Sequence, residues 1–322
     1  MCTTVGFSCR DGFVFGRTLE MGVELDNQVL FVPAGYKGFI QEDGAAYDAR
    51  YATIGTAFMD MAAFGDGINE MGLMGSSNLL PGCASFADHA VDGKINLTTA
   101  NAFNYLLSRC KNIKEVKEEA TKLSLPARSA ASGTPSGEMH FFFMDADGNR
   151  VVLEPKHGQL QAFDNPYGVL TNSPEFPWHV TNLRNYLQLQ PENIEQRTWN
   201  GAVLSKFGEG TGLAGLPGDF TPPSRFVRAA FFVSATPRDL ARPAAILQAF
   251  RILSQSDIPD GAVIDEKSGY RDKTLYTAVM DTSKKSYTVK CHDNINLQPF
   301  RLEDFKDERD LRFICLDKEM HL

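Results

Sequence analysis

The chain opens on short runs of strand-like character. Residues 3–8 and 13–19 flank Arg10-Asp11-Gly12, a turn signal that predicts an antiparallel hairpin. Residues 28–33 and 51–59 predict further strands. The apolar period then lengthens. Phe103, Leu106, Leu107 and Cys110 fall at i, i+3, i+4 and i+7. Ile113, Val116, Ala120 and Leu123 repeat one face while Lys114, Glu115, Lys117 and Glu118 point outward, so two amphipathic helices are predicted. His140-Phe-Phe-Phe-Met144 and Arg150-Val-Val-Leu-Glu154 surround Asp145-Ala-Asp-Gly-Asn149 and predict a second hairpin. Helices follow at about 225–235 and 244–256, Pro243 suiting a helix start, and strands return at 274–280 and 286–291.

The order is strands, helices, strands, helices, strands. It does not alternate one strand with one helix, which argues against a doubly wound parallel sheet. Hairpin-linked strands with segregated helices predict an α+β fold of antiparallel sheets with helices packed outside. The segment from Arg128 to Gly137 reads as a surface loop, because strand signals follow at once.

Composition narrows the classes. The 322 residues carry 32 Lys+Arg against 40 Asp+Glu, a net charge of −8, which argues against a nucleic-acid partner. No run of roughly 18 apolar residues predicts a membrane span. The N-terminus lacks a basic region followed by an apolar core, so a cytoplasmic location is expected. The cysteines Cys2, Cys9, Cys83, Cys110, Cys291 and Cys315 form no C-x-x-C pair, which suits neither a zinc site nor a disulfide framework. Four or five of them read as small buried apolar residues. No metal and no cofactor is expected.

Several motifs fail on inspection. Gly210-Thr-Gly-Leu-Ala-Gly215 matches a dinucleotide fingerprint, but Leu216-Pro217-Gly218 breaks the helix that fingerprint needs. Asp145-x-Asp147-x-Asn149 starts like a calcium loop, yet Arg150 stands where glycine is required. His89, His140, His157, His179, His292 and His321 show no ligand spacing, and His179 beside Trp178 reads as structural.

Cys2 stands apart by position. Removing Met1 ahead of this small side chain would leave one residue with both a thiol and an α-amine. Their ordinary pKa values, about 8.5 and about 8, lie close to neutral, so the amine can accept the thiol proton and the thiolate can attack a carbonyl carbon. The predicted hairpin returns Arg17 and Glu20 to the neighbourhood of Cys2. Arg17 can lower the thiol pKa and Glu20 can hold the ammonium. Taken alone, Arg17 and Glu20 would read as an exposed strand-end pair; the register is not fixed by the sequence.

These residues carry a family resemblance. Met1-Cys2-Thr3, Phe15-Gly16-Arg17, Gly72-Leu-Met-Gly-Ser-Ser-Asn78, Gly168-Val-Leu-Thr-Asn-Ser-Pro174 with Trp178-His179-Val-Thr-Asn-Leu183, and the block from Gly215 to Arg228 resemble the choloylglycine hydrolase family. That family comprises conjugated bile acid hydrolases and penicillin V acylases, N-terminal nucleophile hydrolases with a four-layer αββα sandwich. The likeness runs over most of the chain and implies a single domain over 1–322, with Met1 removed. It implies Cys2 as nucleophile, Arg17 as the arginine against the thiol, Asn172 through its side-chain amide and Asn78 through its backbone N–H as the oxyanion hole, and Arg225 as a second active-site arginine. By themselves Asn78 and Asn172 would read as turn residues. Glu20 stands where the family usually has Asp.

The resemblance further implies substrate-facing loops, in which Met21, Phe58, Met59, Met61, Phe64 and Ala131 are suitably apolar, although apolar loop residues also serve as core. A small-molecule N-acyl amide is the expected partner. Asn78, where penicillin acylases often carry Tyr, tilts the expectation toward conjugated bile acids over penicillin V or an N-acyl homoserine lactone. A catalytically silent acyl-amide-binding homologue is the alternative of another class. A segment at about 184–215, carrying Trp199, is expected to protrude and to support a homotetramer.

Overall fold

The computed structural model describes residues 1–40, 46–58, 61–129 and 133–320. Among these, the predicted hairpin forms from β1 (Cys2–Cys9) and β2 (Gly12–Met21). It is followed by β3 (Asn27–Val32), β4 (Thr53–Phe58), β5 (Phe64–Asn69) and β6 (Met74–Leu79). The two amphipathic patterns become α1 (Thr99–Arg109) and α2 (Ile113–Ala120). Three strands form a meander, β7 (Met139–Met144), β8 (Arg150–Lys156) and β9 (Gln159–Asp164), and the short β10 (Val169–Leu170) follows. Then come α3 (Phe176–Asn182), α4 (Pro222–Ala235) and α5 (Arg242–Leu253). The chain finishes with β11 (Arg271–Asp281), β12 (Ser286–Cys291), β13 (Gln298–Arg301) and β14 (Arg312–Cys315).

One sheet runs β10-β1-β2-β11-β12-β13, with Val263–Ile264 added to β11. The other runs β9-β8-β7-β6-β5-β4-β3-β14. Neighbours in both are antiparallel. The sheets face each other, and each carries helices on its outer side: α4 and α5 on the first, α1 and α2 on the second. The result is the four-layer αββα sandwich.

The run Phe141-Phe142-Phe143 shows how the layers are filled. Alternation along a strand sends Phe142 inward, where its ring meets Phe15 of the first sheet at 5.0 Å. It sends Phe141 and Phe143 outward, where both pack on Phe103 of α1. Both faces of β7 are therefore buried, so the strand reads as a continuous apolar run. On the first sheet, α5 lies so close to β2 that a Cβ at Gly16 would sit 2.8 Å from Leu253 Cδ1 and 3.0 Å from the Ala278 carbonyl oxygen. That contact explains the glycine preceding Arg17.

The Gly210–Gly215 run holds only a single 3-10 turn at Thr211–Leu213 and opens no helix, as expected. Asp145 turns the second hairpin by accepting the backbone N–H groups of Asp147 and Asn149. No helix among the described residues is long and apolar enough to cross a membrane.

Candidate active site

The hairpin register settles what the sequence left open. Cys2 pairs with Leu19 and Thr4 pairs with Arg17, so Arg17 is the diagonal neighbour of Cys2 on the same face. That face looks into the space between the sheets. Arg17 Nη2 donates to Cys2 Sγ at 3.3 Å and to the Ser77 carbonyl at 3.1 Å. Glu20 lies an odd number of positions away, so it faces the opposite side, toward α4. The two charges therefore address different atoms: the cation meets the thiol, and the carboxylate lies near the start of the chain.

Met1 continues β1 by one position, its carbonyl accepting the Glu20 N–H at 2.8 Å while its nitrogen donates to the Glu20 carbonyl. The Glu20 side chain is fully buried. Neither carboxylate oxygen makes a hydrogen bond of good geometry, although the Thr18 hydroxyl is near enough to favour the ionised form. Burial raises its pKa, opposed by Arg225, the terminal ammonium, Thr18 and Arg17.

The backbone nitrogen of Cys2 donates to Asn172 Oδ1 at 2.9 Å. Asn172 follows β10, which pairs with β1 through Thr4 and Leu170 and so runs Asn172 to the end of the nucleophile strand. A Cβ at Gly168 would lie 2.2 Å from the Gly6 carbonyl oxygen, and φ there is +66°, so this close crossing requires glycine. Asn172 Oδ1 also accepts from Arg225 Nη2 at 2.7 Å, while Nδ2 donates to the Leu79 carbonyl at 2.8 Å. These partners fix which way the amide points. Arg225 Nη1 reaches the Cys2 carbonyl at 2.6 Å and Thr3 Oγ1 at 2.7 Å.

Arg225 is delivered by the local chemistry of its motif. Asp219 accepts from the Thr221 N–H and hydroxyl and from the Ser224 hydroxyl, contacts that hold its carboxyl down at about 2. Two prolines then begin α4, where missing N–H groups cost nothing. Arg225 Nε donates back to the Phe220 carbonyl, aiming the guanidinium at β1.

Asn78 lies on β6. Its side chain is occupied by structure: Oδ1 accepts from Thr4 Oγ1 at 3.2 Å and Nδ2 donates to the Thr171 carbonyl at 3.0 Å. It thereby ties the second sheet to the Asn172 segment. Two buried histidines hold the same segment. His140 Nε2 contacts the Thr171 carbonyl at 3.2 Å and Nδ1 contacts Glu154 at 3.1 Å. His179 Nε2 lies 2.8 Å from the Asn172 carbonyl, and its ring stacks on Phe226 with centroids 4.7 Å apart. No hydrogen bond links His179 to Cys2, which agrees with its structural reading.

Burial lowers the His179 pKa from 6.5 to about 4. The unfolded chain therefore takes up this proton first, and the associated stability, present above about pH 6.5, is lost as pH falls toward 4. The contribution is about 3 kcal/mol at full extent. Denaturant titrations at pH 7 and pH 4.5 are expected to show a smaller acid-induced loss for His179→Gln than for the unsubstituted chain. Equal losses would remove His179 as a cause.

Sequence reasoning missed one group of residues. Asp66 on β5 receives Arg17 Nη1 at 2.8 Å, the Tyr276 hydroxyl at 2.5 Å and the Tyr287 hydroxyl at 2.6 Å. All four side chains are buried.

The structure thus gathers Cys2, Arg17, Glu20, Asn78, Asn172 and Arg225 at the end of β1. The expected substrate-facing set is more scattered. Met21 is half-buried at the end of β2, and Met61 is exposed. Phe64 is buried in the core beneath α1. Met59, Ala131 and the side chain of Phe58 lie outside the described residues. Among the described residues, no cluster of three or more His, Cys, Asp or Glu is arranged to hold a metal ion.

The sandwich with cysteine at the head of its first strand is the fold of the N-terminal nucleophile hydrolases. Residues 2–311 match the model of the linear amide C–N hydrolases, choloylglycine hydrolase family, and the chain belongs to that family. It is 32% identical over 299 residues to a bile salt hydrolase/transferase of Clostridium perfringens, covering 91% of this chain and 90% of the relative. It is 31% identical over 306 residues to a conjugated bile acid hydrolase of Lactobacillus acidophilus, covering 94% and 96%. The crystal structure of a variant conjugated bile acid hydrolase from Clostridium perfringens superimposes with a TM-score of 0.91 at 27% identity, over 100% of this chain and 99% of that one. A penicillin V acylase from Agrobacterium tumefaciens shares the fold at a TM-score of 0.78 and 19% identity.

Proposed function

We propose that this amide hydrolase cleaves glycine- or taurine-conjugated bile acids through a thioester on Cys2. The observation that carries the mechanism is the division around Cys2, with Arg17 3.3 Å from the sulfur and Asn172 2.9 Å from the nitrogen. Removal of Met1 turns that nitrogen into an amine. The amine takes the thiol proton, and the guanidinium steadies the thiolate. Sulfur attacks the amide carbon, and the oxyanion is met by the Asn172 side chain and the Asn78 backbone N–H. The ammonium returns its proton to the leaving nitrogen, and glycine or taurine departs. Water, deprotonated by the same amine, then splits the thioester to give the free bile acid and the thiol. Arg225 holds the Cys2 carbonyl and the Asn172 oxygen, keeping both ends of the machinery in register.

The bile acid reading is supported by the names of the relatives and by Asn78. The test is release of glycine or taurine from glycocholate and taurocholate, run beside penicillin V. Release from either conjugate supports the reading; cleavage of penicillin V alone rejects it.

Glu20 keeps the charge expected beside the amine on a longer arm. Glu20→Ala is expected to lower kcat roughly tenfold or more, with Glu20→Asp closer to the unsubstituted rate. Equal rates for all three would remove the assigned role.

We assign the chain to one domain with a protruding segment at about 184–215, working in the cytoplasm as a homotetramer. Support comes from the hairpin of Gln196–Trp199 and Ala202–Ser205, on which Trp199, Val203 and Leu204 are exposed, with Phe207 beyond it. So many apolar side chains in water favour association. Sedimentation of Trp199→Asp/Leu204→Asp is expected to show a smaller species than the unsubstituted chain; an unchanged mass would reject the hairpin as the contact.

A further inference from the structure

Arg17 reaches the sulfur with one nitrogen, and the other nitrogen is committed elsewhere. Nη1 donates to Asp66 Oδ2 at 2.8 Å and to the Tyr276 hydroxyl at 2.5 Å. The Tyr276 hydroxyl in turn donates to Asp66 Oδ2, and the Tyr287 hydroxyl donates to Oδ1 while pairing with Thr56 Oγ1. Asp66 is completely buried and Arg17 is 2% exposed. The four partners come from four strands of both sheets: Arg17 on β2, Asp66 on β5, Tyr276 on β11 and Tyr287 on β12. A buried carboxylate with this donor set is costly to assemble unless its charge is used.

The geometry points to Asp66 as a positioning residue, which pins the Arg17 guanidinium against Cys2 Sγ and balances its charge. The inference rests on the Cys2 chemistry proposed above. The two functions follow from simple electrostatics. A lone buried guanidinium beside sulfur would draw the thiolate into a tight ion pair. A thiolate stabilised in that way is less nucleophilic, since nucleophilicity falls with pKa. Pairing with Asp66 offsets the cation while fixing its direction, and burial keeps Tyr276 and Tyr287 protonated as donors. The other charged groups at the site, Glu20 and Arg225, lie on the α4 side, where Arg225 is the largest charge acting on Glu20 and Arg17 a smaller one.

The test is the pH dependence of Cys2 alkylation by iodoacetamide, followed by mass on the N-terminal peptide, with kcat and KM measured alongside. Alkylation needs no amide substrate, so its outcome is independent of which conjugate the enzyme cleaves. Asp66→Asn keeps the side-chain volume and removes the charge. It is expected to lower the alkylation midpoint by roughly one pH unit and kcat by roughly tenfold, with KM little changed. In an Arg17→Leu background there is no guanidinium left to balance, and the same substitution is expected to move the midpoint less. An unchanged or raised midpoint, or an equal shift without Arg17, overturns the assignment. Should Asp66→Asn fail to fold, the double variant decides. Recovery of folding there supports charge balance, and failure beside a folded Arg17→Leu overturns it.

Discussion

Cys2→Ala is expected to abolish amide hydrolysis, with kcat reduced on the order of 10⁴-fold or more. The size follows from the site having no second nucleophile in place. No hydrogen bond joins a histidine to Cys2, and the hydroxyls nearby are engaged elsewhere: Thr3 Oγ1 accepts from Arg225 Nη1 and Thr18 Oγ1 accepts from the Thr3 N–H, so neither pairs with a base. What remains after substitution is substrate binding and the oxyanion donors. The fold should survive, because Cys2 contributes one small buried side chain and its removal costs about 1 kcal/mol. Circular dichroism and the melting temperature check that point. Cleavage of glycocholate and taurocholate at the full rate by Cys2→Ala would contradict the mechanism outright.

Asn172→Ala is the substitution with the next largest expected effect, a loss of roughly 10²–10³ in kcat. This side chain serves three partners at once. Its oxygen accepts from Cys2 N and from Arg225, and its nitrogen donates to the Leu79 carbonyl. In the proposed mechanism, truncation removes an oxyanion donor and releases the nitrogen that becomes the general base. It also leaves a fully buried Arg225 short of an acceptor, which is expected to cost about 1–3 kcal/mol of stability. Steady-state kinetics with a denaturation midpoint separates the two. A variant that loses stability but keeps kcat would show that Asn172 holds the loop without taking part in the reaction.

The hairpin that forms the heart of the site was legible because it is local. A turn at Asp11-Gly12 and strand alternation bring Arg17 beside Cys2, and only the register needed the fold. Helices α1, α2, α4 and α5 were equally plain, whereas the seven-residue α3 was not predicted. The strands β5 and β6 were not predicted. They carry Gly67 and Gly75 where sheet strands usually carry branched residues, and the structure shows why. A Cβ at Gly75 would lie 2.6 Å from the Phe143 ring, and one at Gly67 would lie 2.7 Å from the Ile54 carbonyl oxygen. Close packing erased the propensity signal. Asp66 was lost with its strand. Its partners Arg17, Tyr276 and Tyr287 stand 49, 210 and 221 residues away, separations at which no sequence periodicity operates. The roles of Asn78, Asn172 and Arg225 came from resemblance, and the local chemistry that delivers Arg225, the Asp219 turn and two prolines, became clear only in the folded helix.

In the proposed mechanism a free N-terminal Cys2 carries the acyl group. The most direct measurement is the intact mass of the enzyme before and after rapid mixing with glycocholate and acid quenching, followed by peptide mapping. The expected result is a chain lacking Met1 that transiently gains a cholyl group on the peptide beginning with Cys2. A fully active enzyme that retains Met1, or an acyl group mapped to any other residue, would contradict it.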